Sequence, residues 1–326
     1  MKTSLSRRTI LLGATAGSLL MPLRGLRAAD VPRVAAIHAS PVENAWNSVL
    51  HRTLTEAAAA GQIDYSYSEG VSATDYPRAM REYAEKGNQL IVGEAFAIER
   101  QARSVAQDYP DTAFLFGSSG GPQPPNFGTF SARTTDAAYL AGMLAGAMTK
   151  TGAIGTVAAI PIPEVNMVVN AFTAGALAVN PAVTSRVTFI GTFFDPPKAR
   201  EAGLALIDAG ADILYGERIG TADAAKERGV LAIGALIDYS PRYPGTVFAN
   251  VMMGFRSILD AALVDLAAGR STGRDYTAQS ALKAGGSDIQ YVADEIPPAA
   301  LAAMLARREE IKAGTFTVAL DMSEPK

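Results

Sequence analysis

Cysteine is absent from the 326-residue chain. That excludes a disulfide framework, a thiol nucleophile, a zinc–thiolate site and a lipid-modified N-terminal cysteine. Histidine is scarce. His38 and His51 are the only two, too few for a His-rich metal site, and tryptophan occurs once, as Trp46. Recognisable catalytic signatures are missing as well. "GAIGTVAAIP" carries glycines before a strand instead of after it and is not GxGxxG, and there is no P-loop and no GxSxG elbow. Carboxylates are plentiful, but none are paired in a way that marks a general acid and base. Neither a cofactor nor a metal is expected. No basic stripe is present, so nucleic acid is not an expected partner.

What is present begins with an export signal. Ser6-Arg7-Arg8-Thr9-Ile10-Leu11 precedes an apolar run that ends in small residues and in "PLRGLRAAD". A twin arginine in that setting predicts a twin-arginine signal peptide over 1–28, cleaved near Ala28 or Ala29. The apolar run is too short and too interrupted by Pro22 and Arg24 for a comfortable membrane span. The rest of the chain carries 24 basic against 32 acidic side chains. The expectation is an acidic, exported, monomeric protein of the periplasm with neither a lipid anchor nor stable membrane insertion.

From residue 32 short apolar runs alternate with helical spacing. "RVAAIHA", "QLIVGEAF" and "TAFLFGSS" read as buried strands, with helices between them. The rhythm breaks at "SGGPQPPNFG" and restarts with "TTDAAYLAGMLAGAMTKTG". The fold class expected is α/β: two Rossmann-like lobes with parallel sheets, joined by a multi-strand hinge. The first lobe is expected over 29–131 plus about 248–283, and the second over 132–247 plus about 284–326. Ligands of such sheets bind outside the carboxyl ends of the strands, which here would face each other across a cleft.

The strand ends supply the candidate wall. Glu43, Asn44, Trp46 and Asn47 follow the first strand. Glu94, Phe96, Ser118 and Ser119 follow the third and fourth. The second lobe adds Pro161, Glu164, Asn166, Asn170, Phe193, Phe194, Asp195, Glu217, Arg218 and Asp238, and the tail adds Lys283. Aromatic faces with amides and carboxylates suit a neutral or cationic ring with hydrogen-bonding edges. Plainer roles stand beside these. Trp46 reads equally as core. Strand alternation allows only one of Phe193 and Phe194 to face the cleft. Asp195 before Pro-Pro reads as an N-cap. Glu217 and Arg218 can pair with each other, and Lys283 can be an ordinary solvated lysine.

"SPVENAW", "REYAEKGNQLIVGEAF", "IPIPEVNMVVNAFTAGALAVNP", "VTFIGTFFDPPKAREAGLALIDAGADILYGERIG" and "AAKERGVLAIGALIDYSPRYPGTVFA" together resemble the basic membrane protein (PnrA-like) family of substrate-binding proteins for ABC transporters. The resemblance runs over nearly all of the chain after the signal. It implies a type I periplasmic-binding-protein fold, a clamshell that closes on a small solute, and ABC permease subunits as partners. In the best understood members the solute is a purine nucleoside stacked between one aromatic of each lobe. Trp46 and Phe193 fall at those two positions, Glu43 near an acidic one, Asp238 at a carboxylate that contacts the sugar, and Lys283 at a lysine close to the site. The chain departs from the nucleoside binders at Glu43-Asn44-Ala45, at "SARTTDAAYLAG" and at Glu217-Arg218. A purine-type base or nucleoside is the expected ligand. The alternatives are a sugar, a non-purine heterocycle, or an α/β enzyme on a similar fold.

Overall fold

The expected alternation of buried runs and amphipathic segments is built into two sheets in a computed structural model, which describes residues 31–325. The signal peptide expected at 1–28 lies outside the described residues. Strands β1 (Arg33–Ile37), β2 (Asp64–Ser68), β3 (Leu90–Glu94), β4 (Ala113–Gly117) and β5 (Phe127–Phe130) form an all-parallel sheet in the order β2-β1-β3-β4-β5. Helices α1 (Ala45–Ala59), α2 (Tyr76–Glu85) and α3 (Glu99–Asp108) connect them. The inner strands β1, β3 and β4 are apolar except for Arg33 at the start of β1 and Glu94 at the end of β3, because both of their faces are covered. The edge strand β2 ("DYSYS") is half exposed.

Helix α4 (Thr135–Met148) opens the second lobe. There, strands β6 (Ala153–Ala158), β7 (Thr184–Phe189), β8 (Ile213–Gly216), β9 (Leu231–Leu236) and β10 (Val247–Met253) run parallel in the order β10-β9-β8-β6-β7. Helices α5 (Pro163–Val179), α6 (Pro196–Asp208) and α7 (Thr221–Arg228) cover this sheet. Phe255, just before helix α8 (Arg256–Ala267), and Ile258 and Leu259 within it pack into the core of the first lobe, beside Val49, Leu50 and Phe130. Strand β11 (Ser287–Tyr291) adds antiparallel to β10, and α9 (Pro298–Ala313) lies on α4. The second stretch of the first lobe therefore begins about six residues later than expected. Val247–Met253 is a strand of the second sheet, paired with β9, and the crossing follows it. A buried strand reads the same whichever sheet it joins, so its sequence did not distinguish the two.

Helices α4 and α5 cross unusually closely. A Cβ placed on Gly142 would lie 1.9 Å from the Phe172 carbonyl oxygen, and one on Gly175 would lie 1.9 Å from that of Tyr139. Glycine is what lets the two backbones touch, and the contact fixes the carboxyl-terminal half of α5 against α4.

The connections between the lobes are tied to one another. The Ser131 amide donates to Thr277 Oγ1 (3.1 Å) and the Arg133 amide to Ser280 Oγ (2.8 Å). Ser280 Oγ donates to the Ser131 carbonyl (2.7 Å), and Ser287 Oγ to that of Arg133 (2.9 Å). Among the described residues no helix is long and apolar enough to cross a membrane.

Candidate functional site

The carboxyl ends of the strands in both sheets border one cavity of about 550 Å³ between the lobes. Its size falls within the range of small-molecule sites. The first wall starts at the loop after β1. Asn47 Nδ2 donates to the Ser40 carbonyl and to Ser40 Oγ, each at 2.8 Å, which folds the loop back on the first turn of α1. Asn44 caps that helix, accepting the Trp46 amide at 3.1 Å. These bonds present the Trp46 indole to the cavity. The ring lies parallel to Phe130 behind it and edge-on to Phe96, with centroids 5.8 Å away in both cases. Gly117 at the end of β4 makes room: a Cβ there would sit 2.8 Å from the indole and 3.2 Å from the Phe96 ring.

Glu94 ends β3. Its amide donates to Tyr76 Oη (3.0 Å), and that hydroxyl in turn donates to the Ile37 carbonyl (2.5 Å), so the carboxyl ends of β1 and β3 are pinned together. Burial raises the Glu94 carboxyl above the ordinary carboxylate range, against a hydrogen bond from the Ala39 backbone that works the other way.

The second wall is built on the ends of β6, β7 and β8. Phe193 and Phe194 both border the cavity and both are exposed. They follow β7 in a bend, so the alternation that would have sent one of them away does not operate. The Phe193 ring stands 6.4 Å from that of Phe96 across the cleft. Arg218 holds it there: Nη1 donates to the Phe193 carbonyl at 2.9 Å, and the guanidinium lies 5.6 Å from the ring centroid. Arg218 Nε also donates to Glu217 Oε2 at 2.8 Å, and the same oxygen accepts the Ala159 amide at 3.0 Å. The Glu217–Arg218 pair thus welds the loops after β6, β7 and β8 into one surface. Two polar atoms of wall residues, Trp46 Nε1 and Glu164 Oε2, are buried with no hydrogen-bond partner among the described residues. Leu236 closes the wall at the end of β9 with φ +71°, a left-handed conformation that is uncommon for leucine and costs it energy.

Of the expected site residues, Trp46, Phe193, Asn44, Asn47, Glu94, Phe96 and Glu217 come together on the cavity. Five do not. Glu43 is solvent-exposed on its loop and outside the lining. Ser118 is buried and donates to Glu99, and its neighbour Ser119 takes the place on the wall. Asn170 holds the C-terminal segment, donating to the carbonyls of Asp321 (3.0 Å) and Ser323 (2.9 Å). Asp238 accepts the Ser240 amide (2.9 Å) and Asn250 Nδ2 (3.0 Å). Lys283 is exposed on a short turn. Asn166 likewise serves the C-terminal segment through Met322, and Asp195 caps α6 by accepting the Lys198 amide at 3.0 Å. Tyr215, Leu236 and Thr192 border the cavity without having been singled out. Tyr215 sits inside a strand and Leu236 is an ordinary apolar residue, so neither carries a local signal.

Two α/β lobes of this topology, tied by three crossings around one cleft, define the type I periplasmic-binding-protein fold. Residues 33–289 match the family model described as ABC transporter substrate-binding protein, PnrA-like. The chain belongs to that family, whose members are extracytoplasmic solute-binding proteins of transporters.

Among curated proteins it is 39% identical over 174 residues to a putative ABC transporter glucose-binding protein of Haloferax volcanii, covering 53% of this chain and 44% of that one. It is 31% identical over 198 residues to a purine-binding protein of Brucella abortus, covering 60% and 56%. The chain spans about half the length of these curated relatives. A solved ABC transporter solute-binding protein from Aeropyrum pernix has the same fold, with TM-score 0.75 at 19% identity over 89% of this chain and 94% of that one.

Proposed function

We propose that the cleft binds a purine-type base or nucleoside and that the closed protein hands it to a membrane permease. The observation that carries this reading is the set of three rings at one cavity, Trp46 and Phe96 from the first lobe facing Phe193 from the second. A flat heterocycle inserted against Phe193 buries both of its faces. Its edges then meet Trp46 Nε1, Glu94 and Glu164. The purine-binding relative supports the same ligand class. Expected export by the twin-arginine signal and the absence of cysteine fit a protein that diffuses freely in the periplasm. The second reading, a sugar, is favoured by the name of the Haloferax relative.

A calorimetric and thermal-melting panel of purine bases, nucleosides, pyrimidines and sugars separates the two. Bound purine should raise the melting temperature by mass action, equivalent to about 2.7 kcal/mol at a hundredfold excess over Kd. Trp46→Ala should weaken that binding by about 1–3 kcal/mol, the scale of base stacking on aromatic side chains. A shift with sugars alone would discard the purine assignment while leaving the clamshell.

Arg218→Lys tests the bracing of the second wall. The charge on Glu217 stays compensated, but the planar fork that reaches both Glu217 and the Phe193 carbonyl is gone. Ligand affinity should fall by about 1 kcal/mol, about fivefold in Kd. The free protein should still melt in one cooperative transition, at a somewhat lower temperature because a largely buried pair loses part of its hydrogen bonding. Full affinity in this variant would mean that Phe193 holds its position without help.

A further inference from the structure

The cavity wall carries one carboxylate from each lobe with no cation facing it. Glu94 ends β3 of the first lobe, and Glu164 lies in the first turn of α5 in the second. Among the described residues Arg218 is the only Lys or Arg on that wall, and its guanidinium is taken up by Glu217 and the Phe193 carbonyl. Glu94 keeps only a backbone hydrogen bond from Ala39, and Glu164 Oε2 is buried with no hydrogen-bond partner among the described residues. A carboxylate can only accept hydrogen bonds, and leaving one buried without a donor is costly.

We infer that Glu94 and Glu164 are the specificity-determining residues of this cavity: they admit neutral or cationic rings that present N–H or O–H donors at two edges, and they reject anionic relatives, phosphorylated ones above all. The inference rests on the reading of the cavity as a site for a ring-shaped solute, but it does not need that ring to be a purine. Closure brings the two carboxylates to bear on the same ligand, so a donor-rich solute satisfies both while a phosphate adds like charge between them. An adjoining cavity of about 280 Å³ carries a cation, Arg133, together with Ser119 and Glu164. There too a phosphate would meet Glu164.

The test measures Kd by calorimetry for two matched pairs, adenosine with adenosine 5′-monophosphate and glucose with glucose 6-phosphate. The neutral member that binds should do so about 100-fold more tightly than its phosphorylated partner, since like-charge juxtaposition in a closed site costs several kcal/mol. Glu94→Gln and Glu164→Gln, singly and together, keep shape and an acceptor but remove the charge. The double variant should narrow the gap by about tenfold or more. Its thermal melt should match or exceed that of the parent, because a buried charge is removed, which separates a change of specificity from loss of fold. Binding of adenosine and its monophosphate within about threefold of each other would overturn the inference and leave the purine reading standing. Binding of glucose but not glucose 6-phosphate, with neither adenosine compound bound, would overturn the purine reading and support the inference. If no neutral member of either pair binds, both fall.

Discussion

Gly175→Ala lowers the stability of the protein by about 3 kcal/mol, read from its urea unfolding midpoint. The new methyl carbon would stand 1.9 Å from the Tyr139 carbonyl oxygen on α4, less than two-thirds of a normal contact. The obstacle is backbone inside a helix, so no rotamer change relieves it, and α5 must move off α4. Alanine gains about 1 kcal/mol of helix propensity over glycine, which offsets only part of the clash. Gly142→Ala should behave alike, because its Cβ meets the Phe172 carbonyl at the same distance. Gly121→Ala is the control: nothing lies within 4 Å of its Cβ and its φ is not positive, so its effect should stay within about 0.5 kcal/mol. A tolerated Gly175→Ala would show that the two helices do not cross as described.

Acid destabilises the protein between pH 6.5 and about 4 through His38, by up to about 3 kcal/mol. The ring is 1% exposed and Nε2 has no hydrogen-bond partner. Its pKa is lowered from 6.5 to about 4, chiefly by burial and next by the nearby His51, against smaller raising effects of Asn47 and Glu69. Because the folded state holds His38 neutral while the unfolded chain takes up a proton at about 6.5, the stabilising contribution is complete above that pH. It is lost as pH falls through the window. Glu94 acts in the opposite sense: its raised carboxyl is destabilising when charged, and acid relieves it. Wild type and His38→Gln compared at pH 7 and pH 4.5 isolate the histidine, since Glu94 is common to both. The variant should lose about 2 kcal/mol less over that interval. Equal losses would mean that His38 is not buried neutral.

Most of the architecture was legible because it rests on periodicity. Strands buried on both faces read as unbroken apolar runs, and α2 and α3 have clear apolar stripes. Less legible were relations between elements. Val247–Met253 reads as a buried strand, but its partner is chosen by packing far away in sequence. The aromatic and acidic residues right after strands, Trp46, Glu94, Phe96, Phe193 and Glu217, were readable as wall residues because the chain topology places every strand's carboxyl end at the cleft. Asn170, Asp238 and Ser118 misled for a common reason. Short polar side chains satisfy other protein groups at least as often as they meet ligands: Asn170 holds carbonyls of the C-terminal segment, Asp238 accepts from Ser240 and Asn250, and Ser118 donates to the Glu99 carboxylate on α3. Lys283 and Glu43 failed differently, since positions matched by family resemblance need not face the same way in a chain whose loops differ.

The single tryptophan has a practical consequence. Trp46 is the only indole in the chain and it stands on the cavity wall, between Phe130 and the space beside Phe96 and Phe193. All indole fluorescence of the protein therefore originates at the place where a solute would sit. Occupancy is readable from the unlabelled protein as a change in emission colour or quenching, with no second indole diluting the signal. The same chain, without a cysteine of its own, accepts one engineered thiol on each lobe for distance measurements between attached dyes, so the angle of the clamshell and the filling of its cleft can be followed in one sample.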